Sequence, residues 1–153
     1  MGFVNKAMTA RKDGHLHLIV IPYTSYMVII TAPYAIEIGK RKIRKYTINL
    51  NTYRNLHYQI NNNLKARYKD LIQEQISHLR FNYIKKIYFT IFYSDKRDRD
   101  KSNFCCIHEK YFCDALVEVG AIVDDNDYYI GESTYIYGGI DKDNPRCEIR
   151  IIE

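Results

Sequence analysis

Two pairs of carboxylates, Asp98 with Asp100 and Asp124 with Asp125, are the residues of this chain best suited to chemistry. Mg²⁺ is a hard cation that binds through one or a few carboxylates and keeps waters for its substrate. Held at such a site it would polarise a phosphodiester and generate a hydroxide for in-line attack. Asp also favours turns and helix N-termini through local hydrogen bonds, so each pair has a structural reading beside the metal one.

The elements that must position these pairs can be read from periodicity. Residues 84–94 are dominated by Ile, Tyr, Phe and Thr without Gly or Pro, which predicts a central strand. Seven consecutive charges follow, Asp95 to Lys101, and then Ser102 is placed to cap a helix. Its apolar stripe is Phe104, Ile107, Tyr111, Ala115, Leu116 and Val119, with Gly120 ending it; His108 lies off that stripe and reads as a solvated surface residue. The pairs therefore flank this helix. If it returns antiparallel to its strand, its ends lie roughly 25 Å apart at 1.5 Å per residue. They converge within one subunit only if residues 121 to 125 fold back, or else across a dimer interface.

Upstream, Ile43 to Leu50 alternates like a half-buried strand running into a polar loop, Asn51 to Asn55. From Tyr58 to Leu79 the residues Ile60, Leu64, Tyr68, Leu71, Ile72, Ile76 and Leu79 recur at helical steps, with Lys65, Lys69 and Gln73 on the other face. Downstream, Tyr128 to Tyr137 and Arg146 to Ile152 suggest a closing strand pair, with Cys147, Ile149 and Ile151 sharing one face. Residues 1–35 read as strands or an irregular arm, with a turn at Lys12-Asp13-Gly14. The fold class expected is α/β (α+β): a small mixed β-sheet with two main helices packed on it.

With 153 residues, 46% hydrophobic and 27% charged, the chain is neither a fibrous repeat nor a disordered tail. Its net charge of +5 is unevenly spread: residues 1–36 carry +2, residues 37–101 carry +10 and residues 102–153 carry −7. The four cysteines have no zinc-site spacing and read as small buried residues in a reducing cytoplasm. The apolar stretch from His15 to Ile38 is too polar and broken to span a bilayer. A soluble cytoplasmic protein without membrane or nucleotide cofactor is expected.

The run Arg97-Asp98-Arg99-Asp100-Lys101-Ser102-Asn103, then Lys110, Phe112-Cys113-Asp114-Ala115-Leu116, Gly120 and Asp124-Asp125, resembles the signature of the RusA family of Holliday-junction resolvases. That signature is close to R-D-x-D-N, a helical Lys, D-A-L, a Gly and a D-D pair. The likeness covers residues 95–130 and extends more loosely from about residue 43 to the C-terminus. It implies a domain of residues 37–153, preceded by an extension of unclear role at residues 1–36, in a bacterial or phage-infected cell. It also implies a homodimer acting on four-way DNA junctions, with Mg²⁺ as cofactor and Mn²⁺ as a substitute. Asp98, Asp100, Asp124 and Asp125 would hold the metal, and Asp98, Asp100, Asp125 and Lys110 would form the catalytic set. Lys110 would stabilise charge near the scissile phosphate, or, on its residues alone, pair with Asp114 one helical turn on. Matching D-x-D selects Asp98 and Asp100, whereas matching the family's Asn to Asn103 selects Asp100 and puts Ser102 in the second carboxylate position.

Binding would fall to the basic segment. The resemblance likens Leu50 to Asn55 to the family's Asn- and basic-rich substrate loop, making Asn51, Tyr53, Arg54 and Asn55 candidate DNA contacts. Lys65, Lys69, Arg97 and Arg99 would join Lys40, Arg41, Lys42, Arg44 and Lys45 in tracking phosphates. Two functions follow: a Mg²⁺-dependent endonuclease resolving junctions in DNA recombination and repair, or a non-catalytic branched-DNA-binding protein of the same fold whose metal site has decayed.

Overall fold

A computed structural model describes residues 27–153 and, before them, only the backbone of two strands, Met8–Lys12 (β1) and His15–Ile19 (β2). These two pair antiparallel in a sheet of their own; of the turn expected between them, Asp13 and Gly14 lie outside the described residues. Then follow β3 (Met27–Pro33), β4 (Ala35–Ile38), β5 (Arg44–Thr47), α1 (Leu50–Asn55), α2 (Tyr58–Ile76), β6 (Ile84–Tyr93), α3 (Lys101–Glu118), β7 (Ile130–Ile140) and β8 (Arg146–Ile152). The chain is a small mixed α/β domain with its helices on a sheet. Among the described residues no helix is long and apolar enough to cross a membrane.

The main sheet has the order β3-β8-β6-β7. β6 runs parallel to β7 and antiparallel to β8, and β3 is antiparallel to β8. The expected β7–β8 hairpin is therefore corrected: both strands flank β6, and the turn through Asp141 carries the chain across it. The parallel β6–β7 pair requires a crossover, and α3 supplies it. The shared face expected of Cys147, Ile149 and Ile151 is the core face of β8, and all three are fully buried. Burying side chains of this size stabilises by roughly 1.5–3 kcal/mol each.

α2 turns Leu64, Tyr68, Ile72 and Ile76 inward, the spacing its sequence showed. α3 begins one residue before Ser102 because Asp100 takes the N-cap, and it ends at Glu118 with Val119 as its C-cap, followed by Gly120, whose φ of +73° suits glycine. The solvated His108 expected from the stripe is overturned: it is fully buried, with its Nδ1 3.1 Å from the Tyr68 hydroxyl. α3 packs against β6 and β7 on one side and against α1 and α2 on another, so its buried arc is wider than one stripe. The polar loop expected at Asn51 to Asn55 is instead α1. Asn49 caps it by accepting the Thr52 N–H at 2.8 Å, and Asn61 Nδ2 donates to the Tyr53 carbonyl at 2.7 Å near its end. The four cysteines are free thiols, and Cys105, Cys113 and Cys147 are buried.

Candidate nucleic-acid interface

The crossover decides the fate of the carboxylate pairs. In parallel strands joined by a helix, the helix starts beyond the C-terminal end of the first strand and delivers the chain to the N-terminal end of the second. Asp98 and Asp100 thus sit at one end of the sheet and Asp124 and Asp125 at the other, separated by an 18-residue helix that spans roughly 27 Å. Residues 121 to 125 do not fold back: Ala121 and Ile122 tuck against the end of α3, their N–H groups 2.8 and 3.4 Å from the Leu116 carbonyl, and Val123 is exposed.

Local hydrogen bonds then occupy the same oxygens. Asp100 Oδ1 accepts the Ser102 N–H at 2.9 Å. Asp124 Oδ1 accepts the Asp125 N–H at 2.9 Å, and its Oδ2 accepts from Asn126 Nδ2 at 2.7 Å. Asp98 and Asp100 line a cleft of about 380 Å³, whereas Asp125 and Lys110 line another of about 300 Å³. Among the described residues, no group of three or more His, Cys, Asp or Glu is placed to hold a metal ion. That arrangement overturns the Mg²⁺- or Mn²⁺-dependent site and, with it, the endonuclease, hydrolase and resolvase chemistry it was to support.

Several expected phosphate contacts are committed within the chain. Lys65 Nζ is 2.8 Å from Asp114, and Lys69 Nζ is 2.6 Å from Glu118, fastening α2 to α3. The bond to Asp114 raises the Lys65 pKa above its ordinary value. Asp114 therefore pairs with Lys65, and Lys110 stands exposed without an ion pair among the described residues. Partly exposed pairs contribute about 1 kcal/mol or less, yet a phosphate would have to displace a carboxylate from each lysine.

Asp95, which the sequence offered only as one charge among seven, organises the next group. Arg97 Nη2 lies 2.8 Å from one of its oxygens and Arg99 Nη1 2.6 Å from the other. The two guanidinium groups hold its carboxyl well below the usual carboxylate range. Arg99 is mostly covered and also lies 5.4 Å over the Tyr93 ring. The signal was the i,i+4 spacing of Asp95 and Arg99, which acquires meaning only once β6 is known to end at Tyr93. Of the α1 candidates, Tyr53 is half-buried edge-on to Tyr111 at 6.4 Å, while Asn51, Arg54 and Asn55 are exposed.

The densest run of uncommitted positive charge along the chain is on the β4–β5 hairpin. Its strands pair from Ala35 opposite Thr47 to Ile38 opposite Arg44. Gly39 opens the tip at φ +134°, where a Cβ would meet the Lys42 carbonyl oxygen at 2.2 Å, so only glycine fits. The base is rigid: Ile36 and Ile48 are buried, the Ile48 N–H donates to the Tyr34 carbonyl at 3.0 Å, and Tyr34 stacks on Phe104 of α3 at 5.5 Å. Lys40, Arg41, Lys42, Arg44 and Lys45 are all exposed, and none forms an ion pair among the described residues. Arg54 on α1, the next cation along the chain, is likewise exposed and without an ion pair there. A cationic tip on an anchored base can lie along a polyanion without first giving up internal bonds. Comparison with family models and with curated proteins finds no match for this chain.

Proposed function

We propose that this chain is a non-catalytic module that binds branched DNA, with a RusA-like fold and a metal site that has decayed. The observation that carries the reading is the β4–β5 hairpin, whose five cationic side chains form no ion pair among the described residues, Glu37 opposite Lys45 being its one acid, while the acidic pairs are divided between two ends of the sheet. The hairpin grips phosphates, and Arg54 and the exposed His57 and Tyr58 at the start of α2 lie next along the chain toward sugars and bases. Phosphate contacts confer affinity without reading sequence, so selection among DNAs rests on shape.

The test is a titration of a synthetic four-way junction and of a linear duplex of the same length across a salt series. Tight, salt-sensitive binding that favours the junction, with the DNA recovered intact in the presence of Mg²⁺, is expected. Replacing Lys40, Arg41, Lys42, Arg44 and Lys45 together by Gln should lower the slope of log K against log salt by about 4 to 5, at about 0.9 per phosphate contact. Equal slopes for the two proteins would remove the hairpin from the interface. Equal affinity for duplex and junction would remove the branch, and paired nicks would overturn the non-catalytic reading.

A further inference from the structure

The parallel strands β6 and β7 end together in a crevice. Their last paired residues, Tyr93 and Ile140, line the cleft of about 380 Å³, and the charged loop into α3 forms its other wall. Ligands of α/β sheets settle outside the carboxyl ends of the strands in this way. Small-molecule pockets hold about 300 to 1,000 Å³, so this one admits a single nucleotide and excludes a duplex.

One group in the cleft wall lacks a partner. Tyr93 is 4% exposed, and its hydroxyl has no hydrogen bond among the described residues. Buried polar groups are nearly always satisfied, so the exception marks a place that a ligand completes. Burial raises the pKa of this phenol to about 12, which keeps its proton on at neutral pH and leaves the oxygen able to donate or accept. Beside it, with ring centroids 5.7 Å apart, Tyr137 is exposed and offers an aromatic face to a base. Lys96 on the loop and Lys101 at the start of α3 also line the cleft, both exposed and neither in an ion pair among the described residues.

We propose that the cleft binds one unstacked nucleotide: the base lies on Tyr137 and hydrogen-bonds to the Tyr93 hydroxyl, and the phosphate meets Lys96 and Lys101. A bare anion fits less well, because the carboxylates of Asp98 and Asp100 line the same cleft. A nucleotide carries base N–H donors for Asp98 as well as a phosphate for the lysines. The inference rests on the DNA-binding reading for the source of the nucleotide. Phe104 connects the two places: it stacks on Tyr34 at the base of the hairpin and meets Tyr93 edge-on at 5.2 Å. A branch interrupts base stacking, and a nucleotide there leaves the helix at less cost than one inside a duplex. The hairpin then supplies affinity, and the cleft supplies the preference for a branch.

The test titrates three probes against the full chain and its Tyr93→Phe variant: a duplex with one unpaired deoxyadenosine, the same duplex fully paired, and free deoxyadenosine monophosphate. The variant loses a hydroxyl that has no partner in the protein, so it should fold at least as stably as the natural chain. The natural chain should prefer the duplex with the unpaired residue. Tyr93→Phe should weaken that complex about three- to tenfold and leave the paired duplex and its salt slope unchanged. Tyr137→Ala should weaken the same complex by about fivefold or more through lost stacking. Equal affinities of the natural chain and Tyr93→Phe for the duplex with the unpaired residue would overturn the proposal, and so would equal losses on both duplexes. If neither duplex binds, the DNA reading fails by itself and the free nucleotide decides. Binding of the monophosphate that Tyr93→Phe weakens would then keep the cleft as a nucleotide site, and no binding, or binding the variant leaves unchanged, would overturn it.

Discussion

His108 should make the domain sensitive to mild acid, by an amount that follows from its surroundings. It is fully buried on α3, its Nδ1 meets the Tyr68 hydroxyl, and its Nε2 has no partner among the described residues. Protonation would place a cation there without an opposing charge, and burial accordingly lowers the pKa from 6.5 to about 3. Because the folded value is depressed, the unfolded chain binds the proton first. The stability is fully present above the unfolded pKa and is lost as pH falls through the interval below it. Each pH unit in that interval removes about 1.4 kcal/mol, which amounts to about 3 kcal/mol by pH ~4 and about 5 kcal/mol in all. Domains of this size have roughly 5–15 kcal/mol in total. Urea unfolding at a series of pH values, for the natural chain and for His108→Asn, isolates the effect. The variant keeps a polar group near Tyr68 and loses a pH-independent increment for the smaller side chain, so the two stability curves should converge as pH falls from 6.5 to 4. Parallel curves over that range would refute the reasoning.

Asp95→Asn should release Arg97 and Arg99 and steepen the salt dependence of DNA binding by up to about 1.8, two contacts at about 0.9 each; an unchanged slope would show that neither guanidinium reaches phosphate. Gly138→Ala places a methyl 2.7 Å from the Phe92 ring and 2.8 Å from Thr90, and overpacking of this kind should cost about 1–3 kcal/mol in urea unfolding. Ile149→Ala opens a cavity at a fully buried position on β8 and should cost about 2–5 kcal/mol by the same assay. Gln75→Ala removes both bonds that close the Thr31 main chain and should cost about 1 kcal/mol in urea unfolding.

The fold was legible where one residue's neighbours in sequence are also its neighbours in space. The spacing of Leu64, Tyr68, Ile72 and Ile76 marks the inward face of α2 because a helix repeats locally, and Cys147, Ile149 and Ile151 mark the core face of β8 because a strand alternates. What could not be read was which strand lies beside which. β7 and β8 are joined by a short turn that resembles a hairpin, yet β6 separates them, and the cause is the parallel β6–β7 pairing that α3 imposes. His108 was hidden for a related reason, since a stripe in sequence shows one buried face and α3 has two. Asn51 to Asn55 reads as a loop because its composition is polar, and it is helical because Asn49 and Asn61 satisfy its ends.

The same crossover explains why the charged segments were a poor guide to the site. A count of +10 over residues 37–101 treats every cation as available, but Lys65 and Lys69 are held by Asp114 and Glu118, and Arg97 and Arg99 by Asp95. The count of −7 over residues 102–153 treats the acids as one reservoir, but Asp114 and Glu118 serve the α2–α3 seam and Asp124 bonds within its own loop. Setting these internal pairs aside, the densest remaining run of cations is Lys40 to Lys45 on the hairpin, where the base is anchored and the tip meets solvent. A polyanion bound there neutralises charge that the fold has left unbalanced, whereas one bound along Lys65 and Lys69 must first break the contacts that join two helices. The salt slope therefore distinguishes the two: about 0.9 for each free lysine or arginine engaged, and less for any whose carboxylate partner takes back the counter-charge.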